Sequence, residues 1–126
     1  MKKELVTTEG AAPIGAYSQG LVVGDFVFTS GAGPLDPVTG EVVGDDIATQ
    51  THRTLRNLGA ILAAHGLGFD DVVKSTVHLQ HVNEDFAAFN EVYQTYFTKP
   101  YPVRTTVGSD LMNILVEIDF VAHKSA

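Results

Sequence analysis

Strand-like apolar runs at Gln19–Gly31, Asp71–Val82 and Arg104–Ala122 are separated by two stretches in which apolar positions step in threes and fours. Gln19–Gly31 (QGLVVGDFVFTSG) holds two β-rich runs joined at Gly24-Asp25, a pair suited to the positive φ values of a tight hairpin. Gly33–Glu41 (GPLDPVTGE) is dense in Pro, Gly and Asp and reads as turns. From Asp45 the period lengthens: Ile47, Thr51, Leu55, Leu58, Leu62 and His65 form one helical stripe. Asp45 or Asp46 suits its N-cap, and Gly66 suits a left-handed stop. Asp71–Val82 is strand-like again. A second helix opens at Asn83 or Asp85, faces inward with Phe86, Phe89, Tyr93 and Phe97, and ends before Pro100 and Pro102. Two strands close the chain, Arg104–Val107 and Ile114–Ala122. In the latter, Ile114, Val116, Ile118, Phe120 and Ala122 face one way, and Leu115, Glu117, Asp119 and Val121 the other. The order β-β-α-β-α-β-β predicts an α+β fold, a single mixed sheet with two helices on one face. The second face keeps apolar residues such as Leu115 and Val121 uncovered, which predicts a homo-oligomer that buries it.

At 126 residues the chain fits one domain, 1–126. No apolar run approaches the roughly 20 residues of a membrane span, and no apolar core follows Lys2-Lys3 as in a secretory signal, so a cytoplasmic protein without membrane contact is expected. Cysteine is absent, which removes disulfides, thiolate nucleophiles and cysteine metal sites. Eight Lys and Arg stand against 15 acids, for a net charge of −7. Phosphate neutralisation supplies most nucleic-acid affinity, so a nucleic-acid surface is disfavoured.

Two side chains stand out in Tyr101–Ala122. Arg104 follows Pro102 at the head of a strand, and its planar fork matches a carboxylate in two parallel hydrogen bonds; an ordinary ion pair with one of the acids is the alternative. Glu117 lies among apolar strand residues, where burial would raise its pKa and make it a proton carrier; a solvated face shared with Asp119 is the alternative. Ser30 and Gly31 sit where a strand enters a glycine-rich loop, which either approaches an anion through its N–H groups or is a plain turn. His78 and His81 are three apart on a strand and point to opposite faces, so no metal site is expected.

Together, APIGAYSQG (Ala12–Gly20), VFTSGAGPLDPVTGE (Val27–Glu41), Thr54–Leu79, DFAAFNEVYQTYF (Asp85–Phe97) and PVRTTVG…LVEIDFVA resemble the RidA family, also called YjgF or L-PSP-type proteins. The resemblance spans essentially the whole chain. It implies a chorismate-mutase-like fold and a homotrimer with a barrel-like centre and clefts between subunits. It also implies hydrolysis of enamines and imines such as 2-aminoacrylate and 2-iminopropanoate to a 2-oxo acid and ammonia, without metal or organic cofactor. On that resemblance Arg104 grips the substrate carboxylate and Glu117 activates the attacking water. Ser30 and Gly31 orient the substrate, Tyr17 of a neighbouring subunit walls the cleft, Asn90 lies near the pocket, and Thr106 stands where some members carry cysteine. Ala16 replaces the proline of the common G-P-Y-S-Q form, and Gly108–Asn113 is short and lacks the usual Leu-Pro. Three other activities stay open beside this one: an L-PSP-type endoribonuclease that inhibits translation, a non-catalytic small-acid-binding trimer, and a catabolic deaminase of a larger substrate such as 2-aminomuconate.

Overall fold

The computed structural model describes residues 1–125. Its six strands are β1 (Lys2–Leu5), β2 (Gly20–Val23), β3 (Phe26–Thr29), β4 (Val72–Leu79), β5 (Val103–Gly108) and β6 (Val116–His123). They form one mixed sheet in the order β1-β2-β3-β6-β4-β5. Only β4 and β5 run parallel, because helix α2 (Val82–Gln94) carries the chain between them. Helix α1 (Ile47–Ala63) links β3 to β4, and both helices pack on the same face of the sheet.

Each helix has a local cause. Asp46 caps α1 by accepting the Thr49 N–H at 3.0 Å, as the sequence predicts. Gly66, at φ +70°, turns the chain two residues after the Ala64 C-cap, so His65 lies outside the helix. Helix α2 starts earlier than expected, at Val82 after His81, whose side chain makes no capping hydrogen bond. Glu84 and Asp85 in its first turn favour the start through the helix dipole.

The core lies between this helical layer and the sheet. Leu55, Leu58 and Leu62 of α1 meet Val77, Leu79, Ile118 and Phe120, all fully or almost fully buried. A run of aromatic contacts joins Phe89, Tyr93, Phe97, Phe69 and Phe120. Phe86 departs from the expected inward face and is 39% exposed beside the sheet edge. Ile114 and Leu115 also precede β6 rather than belonging to it, and Leu115 packs against the core instead of the outer face.

Strand β1 is the element that the periodicity of the chain does not reveal. Lys2-Lys3-Glu4 carries no apolar alternation; it is a strand because β2 offers it a partner, in register Lys2↔Val23 to Leu5↔Gly20.

The outer face keeps its apolar surface exposed, as the sequence predicts. Phe26 and Phe28 are each 43% exposed, and Val103 at the far edge is 67% exposed. Between them lies a polar centre in which His78 pairs with Glu117 and Thr76 with Asp119. Phe120→Ala is expected to lower stability by about 3–5 kcal/mol, since it empties an aromatic core position; urea unfolding at fixed protein concentration measures it.

Candidate functional site

The pleat of the sheet divides the predicted site residues into two groups. Arg104 lies opposite Ser75 on β4, and Ser75 lies opposite Phe120 on β6. Directly paired residues share a face, so Arg104 points to the side covered by the helices. Glu117 lies opposite His78, one step out of phase, and points to the outer side. Within one chain, therefore, Arg104 and Glu117 do not face each other.

The first group gathers where β5 meets α2. The Arg104 guanidinium donates to Asn90 Oδ1 at 2.8 Å. Its Cζ lies 4.7 Å from the Tyr93 ring centroid, 5.6 Å from Phe86 and 5.7 Å from Phe89. Phe86, Phe89 or Asn90, and Tyr93 follow one another along the α2 stripe that faces β5, which is why they converge. No carboxylate among the described residues pairs with Arg104, so the structural ion pair weighed from the sequence does not form. Asn90, Tyr93, Gln94, Tyr101, Pro102 and Arg104 line an open cavity of about 370 Å³.

Thr106 lies two residues beyond Arg104 on the same face. Its hydroxyl is buried without a partner among the described residues, and the Ser75 and Tyr93 hydroxyls are buried beside each other. Burial pushes the Tyr93 phenol above its ordinary pKa, against the opposite pull of the neighbouring Ser75 hydroxyl and Arg104 guanidinium.

The second group collects at the end of β3. Tyr17, Ser30 and Gly31 line a small cavity of about 40 Å³. Glu117 rises beside them: a Cβ on Gly31 would lie 2.7 Å from Glu117 Oε2, so only glycine allows this approach. The bridge between Ala32 and Ile118 holds the loop at that distance. Ser30 Oγ donates to the Ser18 carbonyl, and the Tyr17 hydroxyl accepts from the Ile14 N–H at 3.1 Å.

Three buried amides hold the surrounding loops; Gln19 belongs to a stretch the sequence already marks, whereas Gln50 and Asn57 were missed. Asn57 donates to the carbonyls of Gly33 and Leu35 at 3.0 and 2.9 Å. Gln19 donates to Thr7 and Ala11 and accepts from the Thr7 N–H. Gln50 joins Gly44 to Leu115 at the entrance of β6. Asn57 and Gln50 lie on the buried face of α1, so a polar residue within an apolar helical stripe was the available signal. Tyr93 and Tyr101 were also missed as part of the Arg104 cavity.

Among the described residues, no group of three or more His, Asp or Glu side chains is arranged to hold a metal ion. Nor, among the described residues, is any helix long and apolar enough to cross a membrane.

Comparison with known proteins gives one consistent result. Residues 7–124 match the family described as Endoribonuclease L-PSP. A RutC family protein of Saccharolobus solfataricus is 48% identical, covering 98% of this chain and 99% of its own. The 2-iminobutanoate/2-iminopropanoate deaminase of Rattus norvegicus is 41% identical, over 82% of this chain and 75% of its own. Among solved structures, E. coli TdcF with bound serine superposes with a TM-score of 0.90 at 38% identity, covering 98% of this chain and 99% of that one.

The outer-face acid gives a prediction. Burial raises the pKa of the Asp119 carboxyl above its usual value, while His78 and Lys74 oppose the shift. A carboxyl raised on folding stabilises fully below its unfolded pKa, and that contribution is lost as pH rises through the folded value. Asp119→Asn is therefore expected to melt higher than the parent near neutral pH. The difference should shrink as pH falls through the raised pKa, and paired thermal melts across that range measure it.

Proposed function

This chain belongs to the endoribonuclease L-PSP family, the RidA family, and from that membership we propose that it is an enamine/imine deaminase acting on small 2-imino acids. The observation that carries the reading is the state of Arg104: a guanidinium on a rigid strand, beside a cavity, whose only hydrogen-bond partner among the described residues is a neutral amide. Its charge is left for a ligand, and a carboxylate fits its fork. The name of the rat relative and the serine bound by TdcF agree with a small carboxylate-bearing substrate.

The reading treats residues 1–126 as one domain and the working particle as a homotrimer whose outer sheet faces pack together. Phe26, Phe28 and Val103 give that packing its apolar surface. In such an assembly Arg104, Asn90 and Thr106 of one subunit meet Tyr17, Ser30, Gly31 and Glu117 of the next. Glu117 thus joins the group that carries Tyr17.

Arg104 holds the substrate carboxylate and fixes the C=N carbon. The Gly31 backbone and the Ser30 hydroxyl orient it from the other side. Glu117 takes a proton as water adds to that carbon and passes it to nitrogen; it then takes the remaining hydroxyl proton and delivers it to nitrogen as the C=O bond forms and the C–N bond breaks. One water enters; one 2-oxo acid and one ammonia leave. These steps draw only on side chains and the Gly31 backbone. RNA cleavage is the weaker reading, because a net charge of −7 offers no phosphate-binding stripe.

A dehydratase that releases 2-aminoacrylate tests the reading. Added protein should accelerate pyruvate and ammonia formation, and no acceleration while a 2-oxo acid still binds would identify a binding trimer instead. Arg104→Ala should lower kcat/KM by about 100-fold or more, and Arg104→Lys should not restore it. Asn90→Asp, which neutralises Arg104 at unchanged size, should abolish 2-oxobutanoate binding in calorimetry while the protein stays folded. Sedimentation should find a trimer, and Phe28→Asp should dissociate it.

A further inference from the structure

Arg104 is held by one hydrogen bond and a bowl of rings, and Tyr93 is the closest ring. A single bond to Asn90 leaves the guanidinium free to turn about its own axis, so a second contact must fix its plane. Tyr93 can supply that contact without neutralising the charge. Its ring centroid is 4.7 Å from Arg104 Cζ, within the range of a cation–π contact. Tyr93 is 4% exposed and wedged between Phe89 at 5.4 Å and Phe97 at 4.6 Å, so the ring cannot swing away. Phe86, more distant and 39% exposed, has no such support.

We infer that Tyr93 is the positioning residue of Arg104, setting the orientation in which the guanidinium presents its fork to a small carboxylate. The ring carries this role. The hydroxyl is buried beside Ser75 and makes no hydrogen bond to Arg104 among the described residues. Position and conformation thus depend on the aromatic face, and the oxygen is dispensable for it. The kinetic consequence rests on the deaminase reading above; the orientation of Arg104 does not.

The test compares Tyr93→Phe, which keeps the ring, with Tyr93→Leu and Tyr93→Met, which remove it. In the parent, the Arg104 Nε–Hε resonance should be shifted upfield by the ring, with slow rotation of the guanidinium. Tyr93→Phe should preserve both and melt no lower than the parent. Tyr93→Leu and Tyr93→Met should lose both signatures and raise KM for 2-aminoacrylate about tenfold, with a smaller change in kcat, and the phenylalanine variant should recover KM to within about threefold. Two substitutions guard against one that fails to fold. A folded Leu or Met variant with unchanged Arg104 resonance and unchanged KM overturns the inference. If the parent shows no deaminase activity but the resonance still collapses without the ring, the deaminase reading fails and the positioning role stands.

Discussion

Strict alternation along β6 divides this molecule. The strand lies between β3 and β4, and each of its residues must choose a side. Val116, Ile118, Phe120 and Ala122 go to the helices and close the core. Glu117, Asp119 and Val121 then have no choice but the opposite face, where Asp119 lies beside His78 and Lys74 within an apolar surround. A slip of one residue would bury two carboxylates among leucines and expose Phe120, so register and core specify each other. The same alternation, carried across β4 to β5, sends Arg104 to the helical side. The physical separation of the guanidinium from the acid within one chain follows from the pleat.

What lies around Arg104 shows how a cation is kept available. In a protein with 15 acids the simplest fate of an arginine is neutralisation. Here α2 presents Phe86, Phe89, Asn90 and Tyr93 instead. Rings and an amide accommodate the charge without cancelling it, and the cavity beside Tyr101 and Pro102 gives an anion access to it. Near Glu117 the design is the reverse: a bare glycine lets the carboxylate sit against the backbone of the loop, and Asn57 pins that loop from behind. Arg104 and Glu117 each sit on a strand, β5 and β6, which holds their side chains in fixed geometry.

Much of this was legible in the chain. The hairpin at Gly24, the stripe of α1 with its Asp46 cap, and the alternation of β6 are local patterns, and the structure forms them where the periodicity puts them. The motif around Arg104 and Glu117 also drew attention to two side chains that the structure places on opposite faces of the sheet. Three things were not legible, each for a non-local reason. Strand β1 exists only through its pairing with β2. Phe86 fits the helical stripe but falls beyond the edge of the sheet, where nothing covers it. The opposite orientations of Arg104 and Glu117 depend on strand order and on a parallel β4–β5 register, and no short-range pattern encodes either.

Subunit complementation tests the composite site most directly. Arg104→Ala and Glu117→Gln proteins, each inactive alone, are unfolded together, refolded as mixed oligomers and assayed for 2-aminoacrylate hydrolysis. If the guanidinium and the acid come from neighbouring copies, random mixing in a ring rebuilds an intact pair at about a quarter of the sites, and activity returns to about that fraction of the parent. Mixed oligomers, verified by co-purification of two tags, that remain as inactive as either variant would contradict the account.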